Sequence, residues 1–342
     1  MPELRRDVTR SEWVIVAPER AMRPLDFVQA DSSNREEPSD GNCPFCAGNE
    51  HQTPPEILRI PNKGQWAVRV FPNKFPALQA QDGDDVEKPG SLYGAMCASG
   101  AHEVIVESPN HLATLADLTV AQITCVIDAY ISRFAALSED PRHSYIQLFK
   151  NHGKRAGASL RHPHSQVIAL PVIPPAVGQR LDNARAYYDR TGHCLICNLL
   201  QEEFKAGARV VGENRGFAVW APYASRFPFE LVICPKEHAH DLTRMTAVQR
   251  KLLSCSLSDA MRRIQMVLGD VPYNLILNAA PTDSLVSANP ENWKTLHKSF
   301  HWTFSVLPRL TYMAGLEWGA GIHINPMAPE QAAEALRKAH VT

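Results

Sequence analysis

The stretch "NHGKRAGASLRHPHSQVIAL", residues 151–170, sets His162 and His164 two apart directly after a glycine-bearing loop. On a strand the side chains alternate, so His162, His164 and Gln166 project from one face and Pro163 and Ser165 from the other. Pro163 marks a strand start or an edge. An imidazole with its ordinary pKa of about 6.5 is largely neutral at about pH 7 and can attack phosphorus without a separate base. Gly153 and Gly157 let backbone N–H groups approach phosphate oxygens, and Ser159 adds a hydroxyl donor. These residue types point to phosphoryl chemistry at His164.

Of the eight cysteines, four form two C-x-x-C pairs, Cys43/Cys46 in "NCPFC" and Cys194/Cys197 in "HCLIC". In a reducing compartment that spacing ligates metal or does redox chemistry more often than it forms a disulfide. Cys97, Cys125, Cys234 and Cys255 lack it and read as small buried apolar residues. Each pair has two histidines to complete it: Cys43, Cys46, His111 and His162 in one set, Cys194, Cys197, His238 and His301 in the other. A single histidine is ordinarily a satisfied core or surface residue. A matched Cys₂His₂ quartet occurring twice reverses that, and it has the ligand count and type of a closed tetrahedral zinc site. Two thiolates favour zinc over magnesium or calcium. The expectation is two structural zinc ions per chain, with no open position for an activated water. Redox use of the pairs is the weaker reading, because nothing nearby resembles a thioredoxin-like unit.

The elements that must hold these residues repeat along the chain. "HEVIVESPNHLATLADLTVAQ" (102–122) aligns without a gap on "FELVICPKEHAHDLTRMTAVQ" (229–249), placing Glu103 on Glu230 and His111 on His238. Leu115, Thr119 and Gln122 fall on Leu242, Thr246 and Gln249. Val104–Val106 and Leu231–Cys234 read as buried strands. Thr119/Gln122 and Thr246/Gln249 read as capping boxes that open helices. Ile123, Ile127, Tyr130 and Phe134, and then Leu253, Leu257, Ala260 and Ile264, recur at helical spacing and read as core faces. "WAVRVFPNKFP" (66–76), "YIQLFKN" (145–151) and "RHPHSQVIALP" (161–171) have counterparts in "FAVWAPYASRFP" (217–228), "YNLILN" (273–278) and "FHWTFSVLP" (300–308). The chain is therefore a tandem duplication, divided as residues 1–178 and 179–342. The proline cluster "PVIPPAVGQRLD" (171–182) reads as the linker. Residues 29–42 are polar and loop-like. The copies differ at one telling place. His162-Pro-His164-Ser-Gln166 is matched by His301-Trp-Thr303-Phe-Ser305, which keeps the ligand and loses the second histidine and the amide. One active site on a doubled scaffold explains that asymmetry; a purely structural role does not require it.

With 342 residues and 44% hydrophobic content the chain can bury a large core and form two domains. A net charge of −1 gives no electrostatic reason to expect nucleic acid or an anionic membrane as partner. No window approaches about eighteen uninterrupted apolar residues, and "MPELRRDVTRSEW" has no apolar core of a signal peptide. A cytoplasmic protein without a membrane span is expected.

"NHGKRAGASLRHPHSQ" resembles the signature of the galactose-1-phosphate uridylyltransferase family of the histidine-triad superfamily. "CPFC", "EWVIVAPERAMRP" and "LEWGAGIHINP" extend the resemblance over nearly the whole chain. It implies an α+β fold built as a tandem duplication of a histidine-triad-like unit, with antiparallel sheets, long helices packed on them and a homodimeric assembly. It implies that His162 is a zinc ligand and that His164 is a nucleophile. The nucleophile would take a nucleoside monophosphate from a nucleotide sugar and pass it to a sugar phosphate, with Gln166 hydrogen-bonding the transferred group. By the same resemblance Asn73, Asn151, Ser159 and Gly157 line the nucleotide and phosphate site, Arg20 and Arg23 meet substrate phosphates, and Glu317 binds sugar hydroxyls. "HSQVIALPVIPPAVGQRLD" and the Cys194/Cys197 pair are in addition similar to the ADP-glucose phosphorylases, relatives that pass AMP to inorganic phosphate. The expectation is UMP transfer between UDP-glucose and galactose 1-phosphate, the commoner activity among chains that resemble this one, with AMP transfer from ADP-glucose to inorganic phosphate as the alternative.

A histidine-triad hydrolase would carry a third histidine at position 166. Gln166 can hold phosphate oxygens but cannot shuttle a proton, which suits transfer rather than hydrolysis. A non-catalytic zinc-binding interaction module is the remaining class. The neutral charge and the one-sided loss of the counterpart of His164 argue against it.

Overall fold

The computed structural model describes residues 1–20, 41–80 and 92–339. Runs rich in valine, isoleucine and aromatic residues form its strands. They are β1 (Glu3–Asp7), β2 (Glu12–Val16), β3 (Leu58–Ile60), β4 (Val68–Pro72), β5 (Ala101–Val106), β6 (Tyr145–His152) and β7 (His164–Leu170). The second half continues with β8 (Val210–Glu213), β9 (Phe217–Trp220), β10 (Leu231–Pro235), β11 (Tyr273–Asn278), β12 (Thr303–Pro308) and β13 (His323–Asn325).

Ten strands make one sheet in the order β3-β4-β5-β7-β6-β11-β12-β10-β9-β8. Its pairings are antiparallel. Exchanging the halves leaves the order unchanged, so the duplication appears as an approximate two-fold relation between β6 and β11. These two counterpart strands pair directly, Asn151 opposite Asn274 and Phe149 opposite Ile276. The fold is the expected α+β duplication, but the two units share one continuous sheet.

One face of that sheet is covered by the counterpart helices Val120–Ser138 and Ala247–Leu268, whose predicted stripes are buried. A single apolar core runs through both halves beneath them, from Val70 and Ile105 to Leu231 and Phe304. The helices touch through a hydrogen bond from Thr124 Oγ1 to Ser254 Oγ at 2.9 Å. Thr246 and Gln249 form the complete capping box. The first copy differs. Thr119 caps its helix, but the Gln122 amide instead donates to the carbonyls of Ala67 and Glu107 at 2.7 Å, tying the helix start to β5. The helix Val120–Ser138 has the length and composition to cross a membrane, yet Ile123, Val126, Ile127 and Tyr130 place its apolar face in the core.

The proline cluster is only partly a linker. Pro175 opens the helix Pro175–Thr191, because proline is tolerated in the first helical turn, where its missing N–H would have no partner. The smaller sheet, β1-β2-β13, joins the two ends of the chain. Its hairpin packs on the second half, with Arg5 donating to Glu330 at 2.9 Å and Asn183 to the Thr9 carbonyl at 3.1 Å.

Candidate active site and metal centres

Alternation along β7 sends Ser165 and Val167 towards the helices and leaves His164 and Gln166 on the open face. A second apolar cluster, Cys43, Phe45, Trp66, Phe71, Val104 and Val106, lies on that face. Within it the Cys-Pro-Phe-Cys turn sets the Phe45 ring edge-on to His164 at 5.3 Å and to His162 at 6.1 Å.

The first quartet assembles around this turn. Cys46 Sγ lies 3.3 Å from His111 Nδ1 and 3.6 Å from His162 Nδ1, and Cys43 Sγ lies 3.7 Å from His162 Nδ1. In the second, Cys197 Sγ lies 3.4 Å from Nδ1 of both His238 and His301. The ligand atoms of each quartet fall within 4.8 Å of one another, the spacing a single metal ion needs. Burial draws the His162 pKa down to about 4, so the ring is neutral and able to ligate. Its Nε2 faces the Ser108 carbonyl at 2.8 Å, which can only accept, so the proton sits there and the lone pair is on Nδ1, towards the thiols. In the second quartet, hydrogen bonds from Cys197, His238 and His301 draw the Cys194 thiol well below its ordinary value. His238 is exposed, whereas each first-quartet ligand is at least partly buried.

His164 has the opposite tautomer. Its Nδ1 lies 2.8 Å from the His162 carbonyl and must carry the proton, which leaves the lone pair on Nε2. Burial lowers its pKa below the usual imidazole value, keeping it neutral. Gln166 is oriented by a residue that sequence reasoning missed. His102 on β5 accepts the Ala77 N–H on Nδ1 at 3.1 Å, so its Nε2–H donates to Gln166 Oε1 at 2.8 Å. Among the described residues, that leaves the Gln166 NH₂ as the free donor end. Asn73 Nδ2 lies 3.1 Å from the same ring nitrogen of His102. The alignment of the copies held the signal: His102 falls on Phe229, an asymmetry of the same kind as His164 on Thr303.

A buried charged network lies directly behind the nucleophile candidate. Lys150 Nζ donates to Glu107 Oε2 at 2.6 Å and to the His164 carbonyl at 3.3 Å, with both side chains about 1% exposed or less. Tyr130 donates to Glu107 at 3.0 Å, and Ser165 donates to the same carboxylate oxygen. Burial pushes the Glu107 carboxyl up, but Lys150 outweighs it and holds the group below the usual glutamate range. In the second copy, the positions of Glu107, Lys150, Tyr130 and Ser165 are taken by Cys234, Leu277, Leu257 and Phe304, all buried. Among the described residues, this ionic network lies only beneath the half that carries His164.

The remaining predicted residues divide. Asn151, two residues beyond the Phe149 that pairs with Gln166, is hydrogen-bonded by Asn274 at 2.9 Å and flanks Gly157. Gly153 and Gly157 have φ of 78° and 91°, conformations that favour glycine, and frame the short turn Lys154–Ala156. Ser159 is exposed just after it. Arg20 is exposed at the end of the turn Pro18–Arg20. Arg23 and most of residues 29–42 lie outside the described residues. Glu317, in the helix Gly315–Ala320, accepts the N–H groups of Ala314 at 2.9 Å and Ile324 at 3.4 Å, both on its own segment.

The halves match the two domain models of galactose-1-phosphate uridyl transferase, the N-terminal model over residues 1–174 and the C-terminal model over residues 180–342. The chain belongs to that family. It is therefore an enzyme, a nucleotidyltransferase of the galactose-1-phosphate uridyl transferase type. Among its relatives, an ADP-glucose phosphorylase of Arabidopsis thaliana is 35% identical, over 100% of this chain and 94% of the relative. A galactose-1-phosphate uridylyltransferase of Thermotoga maritima is 28% identical, over 100% and 99%. Among solved structures, an Arabidopsis thaliana ADP-glucose phosphorylase with bound ADP-glucose superposes with a TM-score of 0.82 at 33% identity, covering 100% of both chains. A uridylyltransferase structure gives 0.74 at 27% identity, covering 98% and 97%.

Proposed function

We propose that His164 Nε2 attacks the α-phosphorus of a nucleotide sugar. The N–P bond forms as the P–O bond to the sugar phosphate breaks, and the acceptor oxygen then displaces the imidazole. The observation that carries this is the pair of hydrogen bonds that orient the site. The His162 carbonyl holds the proton of His164 on Nδ1, and His102 turns the Gln166 NH₂ outwards. The Nδ1–H bond also supports the positive charge that the ring gains when its other nitrogen is phosphorylated. Gln166 and Ser159 donate to the transferred group, with Asn73, Asn151 and Gly157 around the phosphates, Arg20 and Arg23 at substrate phosphates and Glu317 on sugar hydroxyls. Both quartets fit zinc, which would act structurally; the first fixes His162 and so the main chain that carries His164.

Two donor and acceptor pairs fit this scheme. One is UMP transfer between UDP-glucose and galactose 1-phosphate. The second, AMP transfer from ADP-glucose to inorganic phosphate, is favoured by the 35% identity to an ADP-glucose phosphorylase, against 28% to a uridylyltransferase. Intact mass after incubation with UDP-glucose or ADP-glucose alone separates them, since only the true donor leaves its nucleotide on the protein. Ping-pong kinetics with exchange of labelled sugar phosphate should accompany it. No adduct from either donor would refute the covalent scheme.

The enzyme so read is a cytoplasmic homodimer divided near residue 178, acting on small molecules. The eight free cysteines suit a reducing compartment. Phe75, Tyr93, Tyr312 and Trp318, each at least 75% exposed, suit a surface covered by a second copy.

A further inference from the structure

On the sheet face that carries His164 in the first half, the second half has a cavity of about 340 Å³. Its floor holds Asn278, Thr303 and Ser305, the counterparts of Asn151, His164 and Gln166. Arg180, from the helix Pro175–Thr191, enters from the side.

The direction of the hydrogen bonds specifies the ligand. Asn278 donates through Nδ2 to Thr303 Oγ1 at 2.9 Å and to Ser305 Oγ at 3.0 Å, which uses both amide hydrogens. Its Oδ1 accepts from Arg180. Among the described residues, neither hydroxyl has an acceptor for its own proton, and Arg180 has no carboxylate partner. What this corner offers is therefore donors only: two O–H groups and the remaining N–H groups of a guanidinium, the complement of an oxyanion. The buried carboxylates of the lining do not neutralise Arg180, because each is already engaged. Asp7 pairs with Arg10 at 2.5 Å, Glu203 with Arg209 at 2.9 Å, and Glu230 accepts the Arg226 N–H at 2.6 Å. Glu202 lies at the exposed rim. Another wall is apolar, with Trp220 and Val232, and suits a planar ring.

We propose that this cavity is a second, non-covalent site for a nucleoside monophosphate, with the phosphoryl oxygens on Arg180, Thr303 and Ser305 and the base against the Trp220 wall. A threonine hydroxyl with no base set against it does not capture phosphorus, so the ligand binds and leaves unchanged. The proposal goes beyond the reading of His164 and does not depend on it.

Equilibrium dialysis of the intact, zinc-loaded protein with labelled AMP, and separately UMP, tests it. Binding of either nucleotide should fall by one equivalent per chain, or weaken at least tenfold at that site, in Arg180→Met and in the double variant Thr303→Val/Ser305→Ala. The two variants remove different donors, so the test does not hang on one replacement folding. The nucleotide adduct on His164, read by intact mass, should be unchanged in both. Unchanged nucleotide binding in both variants would overturn the proposal, as would wild-type protein that binds neither nucleotide. Inorganic phosphate binding there as tightly as the nucleotides would overturn the nucleotide assignment. Failure of the His164 scheme would instead remove the adduct and leave the lost equivalent in place.

Discussion

Replacing Lys150 with methionine strands the Glu107 carboxylate in the core. Both side chains are essentially inaccessible, so neither water nor a surface counterion can take over. Removing one partner of such a buried pair costs about 3–5 kcal/mol, because an uncompensated charge is left behind. Against a typical total of about 5–15 kcal/mol, that is a large share of the stability. The protein supplies its own control. The corresponding positions of the second half, Leu277 and Cys234, are packed without charge, so the double variant Lys150→Leu/Glu107→Cys should recover most of the loss. Tyr130 and Ser165 keep each other as partners at 2.6 Å when the carboxylate is gone. Equilibrium urea unfolding of the zinc-loaded wild type, single and double variants reads the difference. The sign with pH follows from the lowered pKa of Glu107. Its contribution is complete above the unfolded glutamate value of about 4.3 and is lost as the pH falls through the lower folded value. In the single variant the upward push of burial is no longer outweighed by Lys150, so Glu107 takes up its proton at a higher pH than in wild type and the disadvantage narrows as the pH falls. A single variant within about 1 kcal/mol of wild type, or a double variant as unstable as the single, would refute the coupling.

Three further outcomes are expected. Elemental analysis should find two zinc ions per chain, and graded chelation should empty the second quartet first, since His238 is exposed while the ligands around Cys43 are more enclosed; one zinc in protein purified without chelator would count against the second site. His164→Gly should abolish turnover and adduct formation while zinc content and unfolding midpoint stay at wild-type values; retained turnover would remove His164 from the chemistry. His102→Phe copies the second half at Phe229 and releases the Gln166 amide. It should lower kcat by up to the roughly 10²–10³-fold cost of losing a transition-state donor, with KM little changed, and an unchanged kcat would show that Gln166 needs no such support.

Much of the site was legible in the sequence because duplication supplies an internal control. Matched residue types at matched spacing marked the two quartets, and the broken match at His164 and Gln166 pointed to the half proposed to be catalytic. Local rules also reached the caps at Thr119 and Thr246 and the buried helix stripes, since both depend on neighbours within a turn or two. What only the tertiary structure decided depends on partners distant in the chain. The pairing of β6 with β11 has no local signature, because strand edges satisfy their hydrogen bonds with whichever strand the packing brings alongside. Gln122 reads as half of a capping box, yet its amide serves Ala67 and Glu107, carbonyls that only the packed sheet brings within reach. Lys150, Tyr130 and Ser165 lie in three separate elements and Glu107 just beyond β5, and each alone reads as an ordinary residue of its own segment. Their meaning comes from burial, which removes water as an alternative partner and obliges them to satisfy one another.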